Sequence, residues 1–268
     1  MNSNTQTHEM MVAEFWRQYF TEGPPKEHLR KSRFYRLFPS DTRCKWCLAP
    51  FDGVPGAITK NVFQTYPSRY NPHYCNVCDE FSNKYQGGAE FPLTMLFADI
   101  RGSSALAEKI GPKEFSELIN RFFIKSTHVL TGFGAMIEKL VGDEVTAVFS
   151  RGLVGDDYFG QAIKAAKSLL LETGHGSEKE PWVPIGIGIH SGESFLGSVG
   201  KPNGIMEVAA LGDVPNTASR LASLAGPGEI LVSEYTIKAA KVNPEGLEKR
   251  QLILKGHEKE ITAFVILV

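Results

Sequence analysis

The chain has 268 residues, with 29 Lys+Arg against 30 Asp+Glu and a formal net charge of -1. That balance excludes the basic footprint of a general nucleic-acid binder and offers no global attraction to an acidic membrane. Hydrophobic residues make up 42% and charged residues 22%, the composition of an ordinary globular protein. No apolar run reaches the roughly 18–20 residues of a transmembrane helix, and the opening MNSNTQTHEM lacks the basic start and apolar core of a secretory signal, so a cytoplasmic protein is expected.

From Glu9 the pattern is helical, and Met11, Val12, Phe15, Trp16 and Tyr19 make one apolar stripe that should stop before Gly23-Pro24-Pro25. Packing on its own chain is the favoured use of that stripe, ahead of a dimer contact and then a membrane-surface anchor. All four cysteines then fall in two CxxC pairs, Cys44/Cys47 and Cys75/Cys78, separated by a loop rich in Gly, Pro and Asn. In a reducing compartment this spacing points to metal and not to disulfides. Four thiolates suit a tetrahedral Zn²⁺ or an iron–sulfur cluster, with His73 as a less favoured substitute ligand. Such a closed site is structural or sensory, not catalytic.

SNKYQGGAEF reads as a linker, and LTMLFA from Leu93 as a buried central strand ended by Asp99. Ser103 or Ser104 is expected to cap a helix running to Lys109, whose first backbone N–H groups, after Gly102, face outward and could bind phosphate oxygens. A second helix covers residues 112–130, with Phe115, Leu118, Ile119, Phe122 and Phe123 on its buried face. A hairpin follows over 135–140 and 144–149, turning at Val141-Gly142-Asp143. Asp143 alone is ordinary turn chemistry. Two aspartates at the tips of neighbouring apolar strands, however, make a hard-oxygen site for Mg²⁺ or Mn²⁺.

A third helix is expected over 156–172, then strands over 183–189 and 194–199 around a His190-Ser191-Gly192-Glu193 turn. His190 reads as a hydrogen-bonded turn residue more readily than as a base. A strand over 206–211 leads into a helix over 215–225, where Asn216 and Arg220, four apart, share one face. Strands near 229–232, 250–254 and 261–267 close the chain, with Leu254-Lys255-Gly256 at a turn. A strand, two helices and a hairpin make the first half of a ferredoxin-like α/β sandwich of the α+β class. Three segments are expected: an N-terminal helical segment over 1–40, a four-cysteine module and linker over 41–90, and a catalytic domain over 91–268.

FADIRGSSALAE, IEKLVGDEVTAVF, GIGIHSGESFLGSVG, LGDVPNTASRLA and the closing LKG occur in that order, and together they resemble the class III nucleotidyl cyclase catalytic domain. The resemblance implies that Asp99, Ile100 and Asp143 hold two Mg²⁺ or Mn²⁺ ions, and that Gly102, Ser103 and Ser104 line the phosphate loop. It implies that Lys139 reads the purine, Asn216 positions the ribose, Arg220 stabilises the α-phosphoryl transition state and Lys255 binds the terminal phosphates. It further implies a homodimer in which the aspartates of one chain and Lys139, Asn216 and Arg220 of the other complete each site. The expected product is a 3′,5′-cyclic nucleotide, from ATP by preference. One departure stands out: Ala209 replaces the usual Asp or Thr partner of the lysine and offers the base no acceptor. GTP or a pyrimidine triphosphate, or a catalytically silent nucleotide-binding module, are the alternatives. No nucleic-acid partner is expected.

Overall fold

The computed structural model describes residues 3–200, 206–253 and 260–268, with side chains from Gln6 onward. In chain order the elements are α1 (Ser3–Thr21), α2 (Lys26–Arg36), α3 (Gly53–Val62), α4 (Asn76–Lys84), β1 (Gly87–Ile100), α5 (Ser103–Ile110) and α6 (Pro112–Gly132). The hairpin β2 (Met136–Val141) and β3 (Glu144–Phe149) follows, then α7 (Arg151–Val154), α8 (Tyr158–Glu172) and β4 (Ile185–Gly200). The chain ends with β5 (Met206–Leu211), α9 (Asp213–Leu224), β6 (Ile230–Ser233), α10 (Glu234–Ala239), β7 (Glu248–Ile253) and β8 (Glu260–Ile266). The sheet order is β2-β3-β1-β4-β6-β8-β7, with β5 pairing onto β4. This mixed arrangement of helices on an eight-stranded sheet is of the expected α+β class. None of its described helices is long and apolar enough to cross a membrane.

The chain divides into two compact units, Met1–Phe91 with Phe195–Leu211, and Pro92–Ser194 with Gly212–Val268. In the second unit the strands alternate as a two-sided sheet must. Leu96, Ala98 and Ile100 of β1, Val145, Ala147 and Phe149 of β3, and Ile185, Ile187 and Ile189 of β4 enter one core with Phe122 and Leu130 of α6 and Ala166 and Leu169 of α8. Each fully buried Val, Leu, Ile or Phe among them contributes about 1.5–3 kcal/mol. Helix α9 packs a smaller cluster, where Leu221 and Ala225 meet Leu231 of β6 with Ala263 and Val265 of β8. Gly188 makes that close approach possible, since a Cβ there would lie 2.2 Å from the backbone of Ala222.

In the first unit the α1 stripe packs on its own chain. Val12, Trp16, Tyr19 and Phe20 are buried, whereas Met11 points outward at 57% exposure. Trp16 stacks on Trp46 with ring centroids 5.6 Å apart, Phe20 stacks on Phe91 at 5.5 Å, and Phe15 stacks on Tyr85 at 4.4 Å. Two indoles that would otherwise bury an unpaired N–H donate to Tyr85 O and to the Tyr19 hydroxyl, both at 2.9 Å.

Three local expectations are corrected. The segment read as a linker supplies the start of β1, because Gly88 and Gly197 let two backbones cross. A Cβ on Gly88 would lie 2.4 Å from Leu196 O, and one on Gly197 2.3 Å from Gly87 O. The His190-Ser-Gly-Glu segment is not a turn but the middle of the continuous strand β4. His190 is still hydrogen-bonded, its Nδ1 lying 2.7 Å from Ser233 Oγ. Finally, α5 is capped by Gly102 in the left-handed region at φ 66°, and neither Ser103 nor Ser104 makes a side-chain cap. Glycine adopts that backbone without the Cβ clash that would strain any other residue.

Candidate active site

The two aspartates are brought together by strand pairing. β1 runs antiparallel to β3 with Asp99 opposite Glu144, and the Ile100 amide donates to Asp143 O at 3.2 Å. Asp143 follows Gly142, whose φ of 62° closes the two-residue turn between β2 and β3. Burial pushes the Asp99 carboxyl up; Arg101 pulls it back, and the charge of Asp143 adds to the rise. Glu144 is pushed up to about 7, first by burial and then by the charges of Asp99, Asp143 and Glu138. Carboxylates this crowded favour a divalent cation, and hard oxygen donors of this kind fit Mg²⁺ or Mn²⁺. The donor chemistry therefore suits the metals expected there.

Arg101 was not among the sequence-predicted site residues. Its guanidinium pairs with Asp99 and donates to Ser223 O at 2.9 Å in the last turn of α9. It thus ties the strand carrying Asp99 to the helix carrying Asn216 and Arg220.

Lys139 sits on β2 with its ammonium 3.0 Å from Glu138, half exposed, while the Glu138 side chain is 2% exposed. A register break between Ile137 and Lys139 turns Glu138 inward, where it accepts from Thr146 Oγ1 at 2.6 Å. The Thr146 hydroxyl in turn accepts from the Lys139 amide at 2.9 Å. This inward glutamate was also missed, because a one-residue bulge defeats simple alternation. Ala209 lies on β5 opposite Gly197, buried at 7% exposure.

On α9 the buried residues are Val214, Thr217, Ala218, Leu221 and Ala222. Asn216 is exposed and Arg220 half-buried, so neither serves the core. Gly102, Ser103 and Ser104 stand at the start of α5, immediately after the Asp99 strand, and leave its first backbone N–H groups without a side-chain cap. Lys255 lies outside the described residues.

The four cysteines form a second site. Their sulfurs all lie within 4.8 Å of one another, and all four residues are buried. Cys44 and Cys47 flank a tight loop closed by Cys44 N donating to Ala49 O at 2.9 Å and Leu48 N donating to Cys44 O at 3.0 Å. Cys75 is the N-cap of α4, so Cys75 and Cys78 sit in its first turn. The Cys75 amide donates to Cys44 Sγ at 3.3 Å and the Cys78 amide to Cys75 Sγ at 3.4 Å. Such amide–sulfur bonds stabilise thiolates. Burial opposes ionisation of Cys44, but hydrogen bonds from the other three thiols hold it well below the usual thiol range. The same sharing pushes Cys47 and Cys78 well above it. His73, weighed as a substitute ligand, is not among the clustered groups, and its backbone carbonyl accepts from Lys45 N at 2.9 Å.

Residues 89–267 match the family described as the adenylate and guanylate cyclase catalytic domain. The terminal-differentiation-specific adenylate cyclase of Dictyostelium discoideum is 30% identical over 152 residues, which is 55% of this chain and 7% of that protein. An adenylate cyclase of Anabaena cylindrica is 28% identical over 187 residues, covering 65% of this chain and 36% of the relative. The chain therefore spans a minor part of the length of these curated relatives. Among solved structures, the guanylyl cyclase Cya2 superposes with a TM-score of 0.61 at 25% identity, covering 67% of this chain and 93% of that one. The adenylyl cyclase CyaB from P. aeruginosa gives 0.58 at 25% identity, covering 68% and 96%. Both base specificities are thus represented among its neighbours.

Proposed function

The chain belongs to the adenylate and guanylate cyclase catalytic-domain family, and from that premise we propose that it converts a nucleoside triphosphate, ATP by preference, to the 3′,5′-cyclic nucleotide and pyrophosphate. The observation that carries the reading is the pairing of Asp99 with Asp143 at the joined ends of β1 and the β2–β3 turn. Asp99, Asp143 and the Ile100 backbone would hold Mg²⁺ or Mn²⁺. Bound there, the two ions lower the pKa of the ribose 3′-hydroxyl and neutralise the triphosphate. The 3′-oxygen then forms a bond to the α-phosphorus as the bridging α–β P–O bond breaks, and pyrophosphate carries away the electron pair.

The remaining roles fall to the other residues that the resemblance marks out. Gly102, Ser103 and Ser104 cradle phosphate oxygens at the start of α5. Asn216 holds the ribose oxygen. Arg220 supplies a permanently charged planar fork to the α-phosphoryl group in the transition state, and Lys255 meets the terminal phosphates. Because Asn216 is exposed and Arg220 only half-buried on α9, the reading has them serve the aspartates of a second copy across a two-fold axis. Lys139 donates to the purine ring, oriented by Glu138.

The base preference is the open choice within this reading. The methyl group of Ala209 leaves one exocyclic position of the base without a partner, and discrimination rests on such partners. GTP is accordingly the second reading, and pyrimidine triphosphates the third. Incubating the purified chain with Mn²⁺ or Mg²⁺ and each of ATP, GTP, CTP and UTP, followed by product identification, decides among them. Cyclic AMP is the expected main product. Binding without turnover of any nucleotide would establish a silent regulatory fold instead.

The four thiolates are proposed to hold one Zn²⁺. A tetrahedral ion with bonds of about 2.3 Å sets its sulfurs about 3.8 Å apart. The Cys47 and Cys75 sulfurs lie 3.6 Å apart, and all four lie within 4.8 Å. An iron–sulfur cluster must enclose several iron and sulfide atoms and would spread the sulfurs further.

A further inference from the structure

Strand β5 has two edges, and its only strand partner among the described residues is β4. Its other edge is occupied by two side chains from the loop that leads into the second cysteine pair. Asn71 Nδ2 donates to Met206 O at 2.9 Å and to Glu207 Oε1 at 3.0 Å. The Tyr74 hydroxyl accepts from the Val208 amide at 3.3 Å and donates to Glu207 Oε2 at 3.4 Å. Asn71 is 2% exposed and Tyr74 3%. Burying two such polar side chains is costly unless every group is paired, and here the pairing is spent on one strand edge.

The loop carrying them is itself tied to the thiolate cage. Asn71 Oδ1 accepts from the His73 amide at 3.1 Å, and Tyr74 N donates to Asn71 O at 3.0 Å. His73 O accepts from Lys45 N at 2.9 Å, between Cys44 and Cys47. Cys75 directly follows Tyr74, and its amide donates to Cys44 Sγ at 3.3 Å. A continuous set of bonds therefore leads from the sulfurs through residues 71–75 to Met206–Val208. Residue 209, the next along, is Ala209, and three residues later the chain reaches Gly212 and α9.

We propose that Asn71 and Tyr74 are positioning residues that make the base-reading strand β5 depend on the occupied thiolate site, so that metal in the cage sets nucleotide affinity. The proposal rests on the cyclase and Zn²⁺ readings above. Zinc orders the cysteine loop, the loop fixes the outer edge of β5, and β5 presents position 209.

The test uses the full chain, with hydrogen exchange over residues 206–211, metal content and nucleotide kinetics read together. Chelating zinc from the wild type is expected to raise exchange of the Val208 amide at least about tenfold. It should also raise KM for ATP several-fold, with kcat changed less. Tyr74→Phe, which keeps the ring and drops the hydroxyl, is expected to retain one zinc per chain yet show the same exchange and the same KM rise. Chelation should then add little to either. Glu207→Ala removes two of the four bonds from the strand side and should do likewise, which covers the case in which Tyr74→Phe does not fold. Unchanged Val208 exchange on zinc removal overturns the proposal, as does a purified chain that carries no metal. Normal turnover with uncoupled exchange rejects the latch and leaves the cyclase reading standing. Coupled exchange without turnover of any nucleotide rejects the cyclase reading instead, and with it the control of nucleotide affinity.

Discussion

In the unit formed by Pro92–Ser194 and Gly212–Val268, aliphatic strands meet α6 and α8 in one continuous apolar core. The unit formed by Met1–Phe91 and Phe195–Leu211 holds instead a cluster of four buried sulfurs and an aromatic cluster in which Trp16, Tyr19 and Phe81 meet Trp46. The first arrangement is non-directional, and it leaves its polar side chains free for chemistry at the surface. The second is directional, with sulfurs, indole N–H groups and a tyrosine hydroxyl each needing a specific partner. The lesson is that the catalytic unit tolerates change in its working residues, whereas the cysteine unit depends on single contacts.

That contrast is most sharply broken or upheld by removing a ligand from the cage. Structural zinc sites in small domains carry binding free energy on the order of 10 kcal/mol. Cys75→Ser is expected to abolish metal binding and to lower the unfolding temperature of the N-terminal unit, while the apolar catalytic unit keeps its own transition. Calorimetry with and without chelator checks this. A single transition unaffected by the substitution would show that the aromatic cluster suffices without metal.

A working residue of the catalytic unit should behave in the opposite way. Asp143→Ala is expected to lower kcat by about 10³-fold or more, since a metal carboxylate supplies several kcal/mol of transition-state stabilisation. Stability should change little or rise, because removing one of several crowded carboxylates relieves repulsion. Steady-state rates beside a thermal melt separate the two effects. Loss of fold together with loss of rate would mean that Asp143 is structural.

How much of this was legible in the sequence follows the same division. Apolar runs and helical stripes marked β1, the β2–β3 hairpin, α6 and α9, because burial in an aliphatic core writes a period into the chain. The aspartates stood out as carboxylates where packing had no use for them. Gly88 read as a linker residue and Gly197 as part of a strand over 194–199, yet together they permit a backbone crossing between residues far apart in sequence, which no local pattern encodes. His190 read as a turn for the same reason. Arg101 and Glu138 were invisible because their partners are set by tertiary contact: Asp99 and the end of α9 for one, Thr146 for the other. The grip of Asn71 and Tyr74 on β5 spans more than 130 positions of chain and left no trace in spacing.

The smallest expected effect concerns pH. His175 is buried in the catalytic unit, its Nδ1 lying 3.0 Å from Thr173 Oγ1, and burial lowers its pKa. A histidine held neutral by the fold contributes its full stability above its unfolded pKa of about 6.5 and loses it as pH falls below that value. Wild type should therefore lose up to about 1 kcal/mol more than His175→Gln between roughly pH 7.5 and 5.5. Parallel denaturant titrations at the two pH values measure the difference. Equal losses would place the acid sensitivity elsewhere.

The central claim is that the chain is a cyclase whose site is completed by two copies, aspartates from one and the α9 arginine from the other. Mixing Asp143→Ala with Arg220→Ala tests it most directly. Each variant alone should be nearly inactive. Subunit exchange in an equal mixture makes half the dimers mixed, each with one intact site of two, so activity should return to about a quarter of wild type. A mixture no more active than its components, with both variants folded and exchanging subunits, would contradict the account.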